Sequence, residues 1–307
     1  MLKIKLTDKN GREVPDMSLR SLHIVFSEDA PAVSMTAVLI PGGRIQEIYC
    51  CEAEYNGERL FSGSVDEQIE EHSGKGHFLT LRARSREAVL LDNEAMPQTY
   101  NMPCFGLIFE RHFRPLGFTG FCGTDEVFNG ELTVTKGMSQ WSVLSAFCRS
   151  FTGTTPRVND DGIIDISGSS VPGRIHIDRD IIITLKNTLR RSAPVSRILA
   201  RTFVAGGYNM EFQSKRAKEL GIEKTRYVNA LGDGIRGIGD IRRLMERSER
   251  AYDTMELRCT GIIKCCPGDI LTVGGKEGEY IIRDVSFSAD SKGERTTIKA
   301  EVNNNVA

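Results

Sequence analysis

The chain has 307 residues, 40% of them hydrophobic and 26% charged, and a formal net charge of −1. This length allows two or three domains that each bury a core, and the balanced charge argues against a protein built mainly to bind nucleic acid. No apolar run approaches the roughly 18 residues of a membrane helix, and the N-terminus is typical of a strand rather than a signal peptide. The eight cysteines lie in apolar patterns, so we expect reduced thiols in a chain kept in a cytoplasm.

The first 85 residues predict about six short strands joined by tight turns. Apolar and polar residues alternate in these runs, as they do in half-buried antiparallel strands. The dipeptide Asn56-Gly57 favours a type I′ hairpin, because both central residues of that turn take positive φ. This region is therefore expected to form an antiparallel barrel or sandwich. The predicted strands are 2–6, 22–27, 33–40, 48–55, 60–69 and 77–84.

The next region, up to about residue 170, changes from strand to helix periodicity. Short helices are predicted at 85–91, 102–116 and 139–151, the last with Trp141, Leu144, Cys148 and Phe151 on one face. The stretch 157–166 predicts a hairpin with an Asp-Gly turn. These elements indicate a small α/β domain.

The last 137 or so residues predict a second β unit. The range 171–195 is expected to be a connector with one strand at 181–185, and 215–226 an exposed basic loop. A charged helix at 235–252 precedes a β meander. Its predicted strands are 255–260, 269–273, 279–286 and 295–302.

Two β stretches resemble each other across the chain. Residues 59–85 (RLFSGSVDEQIEEHSGKGHFLTLRARS) and 279–302 (EYIIRDVSFSADSKGERTTIKAEV) each predict strand, polar turn, strand. The second strand contains Leu-Arg-Ala in the first copy and Ile-Lys-Ala in the last. This similarity predicts an internal duplication, with no second copy of the middle domain.

Nucleotide and metal sites have weak signals in this sequence. A G-x-G-x-x-G motif occurs at 232–237, but dinucleotide binding needs a buried parallel strand before it, and a flexible loop running into a helix is the interpretation we adopt. The adjacent cysteines at 50–51 and 265–266 point to opposite faces of a strand and cannot chelate one ion together. We therefore expect no cofactor and no metal.

Catalytic signals are also weak. No G-x-S-x-G nucleophile elbow occurs. Glycoside cleavage needs a pair of carboxyl groups, one as acid and one as base or nucleophile, and the sequence offers neighbouring carboxylates such as Asp66, Glu67, Glu70 and Glu71. Such acidic runs are usually solvated faces of the protein. The helix after residue 235 mixes Arg with Glu, which favours a salt-bridged surface or subunit contact over a nucleic-acid reader. No catalytic residue is predicted.

Residues 85–100 (SREAVLLDNEAMPQTY) follow the first β unit. Residues 137–166 combine a helix with a small hairpin, and residues 259–288 have a Pro-Gly-Asp turn before one strand and a Tyr-x-Ile-x-x-Val strand after it. Taken in this order, the three stretches resemble the junction after the first barrel, the middle domain and the second barrel of phage baseplate hub proteins of the late control protein D type.

The resemblance implies a mainly β fold with an α+β middle domain. Two tail-tube-like antiparallel β barrels, at 1–85 and 196–307, would flank a small α/β domain at 86–170, with the connector at 171–195. It also implies a structural, non-enzymatic hub of a contractile injection system, related to the hub domains of type VI secretion spikes. Three chains would form a pseudo-six-fold ring that adapts the hexameric tail tube to the trimeric spike.

The expected partners are the chain itself as a homotrimer, the tail tube protein, a separate spike protein and other baseplate proteins, without a membrane-spanning segment or specific nucleic acid binding. The expected location is the tail of a virion or phage-like particle assembled in the host cytoplasm. The alternatives are a β-rich carbohydrate- or peptidoglycan-binding protein and a hydrolase.

A ring needs sheet edges that pair between barrels, so contacts between chains are expected on the strands at 33–40, 60–69, 269–273 and 279–286. The candidate interface residues are Leu60, Ser62, Ser64, Asp66, Arg236, Arg243, Tyr280, Ile282 and Asp284.

Overall fold

The computed structural model describes residues 2–15, 17–74, 76–159, 161–169, 171–201, 207–229 and 238–303. Strands dominate these ranges, and twelve of them form one large, mostly antiparallel sheet. Three smaller sheets of two or three strands accompany it. The mainly β fold class predicted from the sequence is confirmed.

The first 85 residues form the N-terminal β unit, half of the large sheet. Its spatial order is β1-β4-β5-β6-β3-β2, and the predicted turn at Asn56-Gly57 has positive φ at both residues. The strands are β1 (Leu2–Thr7), β2 (Ser18–Ser27), β3 (Ser34–Ile40), β4 (Cys50–Tyr55), β5 (Glu58–Ser73) and β6 (Gly76–Ser85).

The middle segment packs short helices on two small sheets, β10-β11-β8 and β7-β9. Ser139 caps α3 by accepting a hydrogen bond from Ser142 N, and Pro115 and Gly117 lie in the turn after α2. α2 is shorter than the predicted 102–116, whereas α3 continues as a π-helical turn over Cys148–Thr152, so helical conformation covers the predicted range 139–151 almost entirely. The elements are α1 (Val89–Asp92), β7 (Gln98–Asn101), α2 (Phe105–His112), β8 (Gly120–Cys122), β9 (Glu131–Val134), α3 (Gln140–Phe147), β10 (Arg157–Val158) and β11 (Ile163–Asp165).

The range 171–195 contains two strands, β12 (Arg174–Ile177) and β13 (Ile182–Leu189), where one strand in a connector was expected. Both pair inside the large sheet: β12 runs parallel to β18 (Ile270–Val273), and β13 runs antiparallel to β17 (Asp253–Thr260). With β19 (Tyr280–Asp290) and β20 (Gly293–Val302) they form the C-terminal β unit. The division of the chain into separate domains stays a prediction.

The described residues between 197 and 250 contain a small separate sheet and two helices. The sheet order is β15-β14-β16, and Ile198 and Val228 share a small core with Ile241 and Met245 of α5. The stretch 215–226, predicted to be a loop, is instead α4 followed by the start of β16, because Ser214 caps the helix through Ala217 N. The elements are β14 (Arg197–Arg201), β15 (Met210–Gln213), α4 (Lys215–Glu219), β16 (Thr225–Asn229) and α5 (Ile238–Arg250).

The two β units share one continuous hydrophobic core, and the middle segment has its own. All eight cysteines are free thiols, as expected. Burial raises the pKa of Cys51 and of Cys265 to about 12, so both stay protonated in the core. In the part of the chain that the structure describes, no helix combines the length and apolarity needed to cross a membrane.

His112 is buried in the middle segment rather than on a helix surface. Its Nδ1 lies 2.8 Å from Gln140 Oε1, which can only accept, so Nδ1 carries the proton. Burial lowers the pKa of His112 and so favours the neutral ring. In the neutral ring Nε2 is unprotonated and accepts a hydrogen bond from Tyr100 Oη at 2.9 Å.

We expect the stability of the protein to contain a pH-dependent contribution from His112. The unfolded chain takes up a proton on this ring below about pH 6.5, whereas the native ring resists it, so the free energy of unfolding falls by up to about 1.4 kcal/mol per pH unit as the pH drops. Urea unfolding of wild type and His112→Gln at about pH 7.5 and 5.5 measures this contribution, because the variant lacks the titrating ring. An equal loss of stability in both proteins would contradict it.

Candidate assembly interface

The two β units repeat the same arrangement of six strands. In the N-terminal unit the order is β1-β4-β5-β6-β3-β2, and in the C-terminal unit it is β12-β18-β19-β20-β17-β13. Taken in chain order, both units therefore place their strands first, fourth, fifth, sixth, third, second. One pairing differs, since β1 and β4 are antiparallel whereas β12 and β18 are parallel. The duplication predicted from one hairpin extends to the whole unit.

Irregularities in the strands repeat as well. When β5 and β19 are aligned at their hairpin turns, the bulge between Val65 and Glu67 coincides with the bulge between Ile282 and Asp284. A second pair of bulges lies between Leu19 and Ser21 in β2 and between Ile182 and Thr184 in β13. Bulges are specific structural features, so these coincidences support a true repeat.

Ion pairs between neighbouring strands repeat at the first bulge. Glu67 contacts Arg82 at 2.6 Å, and the equivalent Asp284 contacts Lys299 at 3.6 Å. The bulged residues, Asp66 in β5 and Arg283 in β19, also form ion pairs with equivalent positions on β6 and β20. The charges of these two ion pairs are reversed. Asp66 binds Arg84 at 2.7 Å, whereas Arg283 binds Glu301 at 3.0 Å.

The two units join within the chain where β2 pairs antiparallel with the second half of β19. Ser27 Oγ donates to Asp284 Oδ1 at 2.7 Å, and the Phe26 and Phe287 rings meet edge to face with centroids 5.5 Å apart. The inward-facing Leu22 of β2 is only 3% exposed. This junction is thus apolar inside and polar outside.

The strands equivalent to β19 and β2 are β5 and β13, and both lie at open edges of the large sheet. Among the described residues, the second half of β5, from Glu67 to Ser73, pairs with β6 alone, and β13 pairs with β17 alone. Leu185, the equivalent of the buried Leu22, is 41% exposed. The fold therefore contains one complete junction, between β2 and β19. The two strands that would form a second such junction, β13 and β5, are both present but, in the described part of the chain, do not pair with each other.

Charges on the two open edges are complementary. The β5 edge carries Glu67, Glu70 and Glu71, and the β13 edge carries Lys186, with Arg190 directly after it. Among the described residues each edge lacks a partner strand on one side, although the Gln68 side chain bonds the backbone of Gln46 and Ile48 beside β5. An unpaired edge is the usual template for pairing with another chain. The two edges can therefore form an interface between copies of this chain.

Several predicted interface residues lie elsewhere. Leu60, Tyr280 and Ile282 are buried in the core, where their side chains pack within the chain, so their predicted role as interface contacts is corrected. Tyr280 and Ile282 have backbone neighbours on both sides of β19, whereas Leu60 lies at a bulge where β5 pairs with β4. The predicted interface strands β3 and β18 are likewise paired on both sides.

The polar candidate interface residues lie in different parts of the structure. Ser62 and Ser64 are exposed, on the part of β5 that pairs with β4, and Asp284 lies at the junction inside the chain. Arg243 donates to the carbonyl oxygens of Arg149 and Gly153 and so ties α5 to the middle segment. Arg236 lies outside the described residues, as does the G-x-G-x-x-G motif.

The carboxylates considered for catalysis are mostly held by basic side chains. Asp66 binds Arg84, and Glu67 binds Arg82. Glu70 Oε1 lies within 3.1 Å of two histidines, a cluster that the sequence did not predict. These contacts favour a structural role for this edge over paired catalytic acids.

No family model matches the sequence, and no curated protein matches it. Solved structures do match over almost the full length. A 43 kDa tail protein of prophage MuSo2 from Shewanella oneidensis has a TM-score of 0.77 at 17% identity, with 98% of each chain covered. A tail protein from Neisseria meningitidis has a TM-score of 0.77 at 13% identity, covering 98% of this chain and 96% of that one.

A third match is an Escherichia coli component of the type VI secretion system, described as structurally similar to T4 bacteriophage tail proteins. Its TM-score is 0.60 at 12% identity, covering 98% of this chain and 77% of that one. The protein therefore has the fold of phage tail and type VI secretion proteins, as the resemblance implied.

Proposed function

We propose that the protein is the structural hub of a phage tail or phage-like contractile particle. Three chains form a ring of six β units, which adapts the six-fold tail tube to the three-fold spike. The observation that carries this proposal is the duplicated unit, whose junction is formed once inside the chain and left open once at its edges. Its partners are a second and third copy, the tube protein, the spike protein and other baseplate proteins, in a tail assembled in the host cytoplasm.

The internal junction supplies a register for the contact between chains. Asp284 lies opposite Ser27, and Ser288 lies opposite His23. Carrying this register to the equivalent strands places Glu67 opposite Arg190 and Glu71 opposite Lys186 of the next chain. Opposite charges on facing positions of adjacent strands stabilise the pairing.

The same contact covers the exposed inner face of β13. Leu185 and Leu189 are equivalent to Leu22 and Phe26, which pack beneath the C-terminal unit within the chain. Burying them against a neighbouring chain removes apolar surface from water. The contact is head to tail, because each chain provides one edge of each kind, and such contacts close into rings when the rotation permits.

The proposed role is structural rather than enzymatic. The matched solved structures are tail and secretion-system components, and the carboxylates Asp66 and Glu67 already lie in ion pairs. No contact among the described residues favours the alternative of a carbohydrate- or peptidoglycan-active protein.

Light scattering coupled to gel filtration tests the oligomeric state. We expect a species of three times 34.1 kDa, and electron microscopy of that species should show a ring with six similar lobes. A chain that stays monomeric at the highest attainable concentration, or a ring with another number of lobes, would overturn the proposed ring.

A further inference from the structure

The tip of the β5–β6 hairpin brings two histidines and a glutamate together. His72 lies directly opposite His77 in the antiparallel register. Glu70 lies two residues before His72 on the same strand, and successive side chains alternate between faces, so Glu70 and His72 project to the same side. All three side chains are at least partly exposed to solvent.

The geometry of this cluster is convergent. Glu70 Oε1 lies 2.7 Å from His77 Nε2 and 3.1 Å from His72 Nε2. The two imidazole rings stack with centroids 3.9 Å apart and planes 18° apart. The three candidate donor atoms lie within 4.8 Å of one another. Ligands at about 2.0–2.1 Å from a tetrahedral ion are roughly 3.3 Å apart, so small side-chain adjustments open room for an ion.

We propose that Glu70, His72 and His77 bind one divalent transition-metal ion, of the class of Zn²⁺, Ni²⁺ or Cu²⁺. Two imidazoles and one carboxylate are ligands that these ions take, whereas Mg²⁺ and Ca²⁺ prefer oxygen alone. Three protein ligands leave the fourth position for water.

The C-terminal unit lacks this cluster. At the equivalent positions it has Phe287, Ala289 and Glu294, and Phe287 is buried against Phe26. The donors are therefore specific to the hairpin at the open edge. A bound ion would link β5 and β6 at the hairpin tip, where the described contacts include few apolar ones. The ion would thereby stiffen the hairpin.

Isothermal titration calorimetry of the untagged full chain with zinc chloride tests the site. We expect one ion per chain. His77→Gln and Glu70→Gln should each weaken binding by about tenfold or more. His23→Gln, an exposed strand histidine elsewhere in the same sheet, is the matched control and should bind like wild type.

The same titration on Lys186→Glu separates this proposal from the ring, because a chain that does not assemble leaves the hairpin uncovered. Circular dichroism without metal checks that each variant folds. Unaltered zinc binding in both His77→Gln and Glu70→Gln, or no binding by wild type and Lys186→Glu, would overturn the metal site and leave the proposed ring untouched.

Discussion

Lys186→Glu is expected to convert the proposed ring into folded single chains. In the register proposed from the internal junction, the new carboxylate faces Glu71 of the neighbouring chain, and like charges facing each other across an interface cost several kcal/mol. Because Lys186 is exposed on an edge strand, the fold of the chain itself should survive. Light scattering gives the mass, and thermal melts followed by circular dichroism show whether the variant is folded.

A charge swap makes this prediction specific to one pair. Combining Lys186→Glu with Glu71→Lys should restore the ring, while Glu71→Lys alone should disrupt it. Lys3→Glu makes the same charge change on β1, the opposite terminal strand of the sheet, and should leave the ring intact. If Lys3→Glu breaks the ring and Lys186→Glu does not, the contact between chains lies on β1 rather than on β13.

Phe105→Ala should cause the largest loss of stability among single substitutions in the middle segment. Phe105 is fully buried, and its ring centroid lies 4.9 Å from that of Phe121 and 5.0 Å from that of Phe147. Removing such a ring leaves a cavity and costs about 3–5 kcal/mol. Chemical unfolding measures this loss.

Leu107→Ala on the same helix is the control, since Leu107 is 41% exposed and should cost far less. Similar losses for both substitutions would mean that the aromatic cluster does not hold the middle segment together.

The hairpin similarity was predictable because its signal is local. The triplets Leu81-Arg82-Ala83 and Ile298-Lys299-Ala300, noted in the sequence, occupy equivalent positions when the two hairpin turns are aligned. Alternation along a strand and polar residues at a turn are visible in the sequence itself.

The open edge at β13 was not predictable, because its evidence is distant in the chain. Its residues are mostly exposed on both faces, so they show little of the alternation that marks a half-buried strand. The sequence predicts a strand at 181–185, but only its pairing with β17, more than sixty residues later, places that strand at an edge of the large sheet. Without this pairing, the sequence could not indicate which edges of the sheet remain open.

Burial explains the misplaced interface residues. Tyr280 and Ile282 begin an apolar stretch that predicts a strand with one buried face but not which strand covers it. The histidine pair was missed for a related reason. His72 and His77 come into contact through the register of the hairpin turn, and their spacing in the sequence matches no common metal motif.

The reversed ion pairs at the two bulges show how far the copies have diverged. Moving Arg283 to the place of Asp66 would set it beside Arg84, and the reverse exchange would set a carboxylate beside Glu301. The hairpins of the two units are therefore no longer interchangeable parts, even though their backbones match. The two bulges have in common an opposite-charge pair across neighbouring strands rather than the sign of either residue.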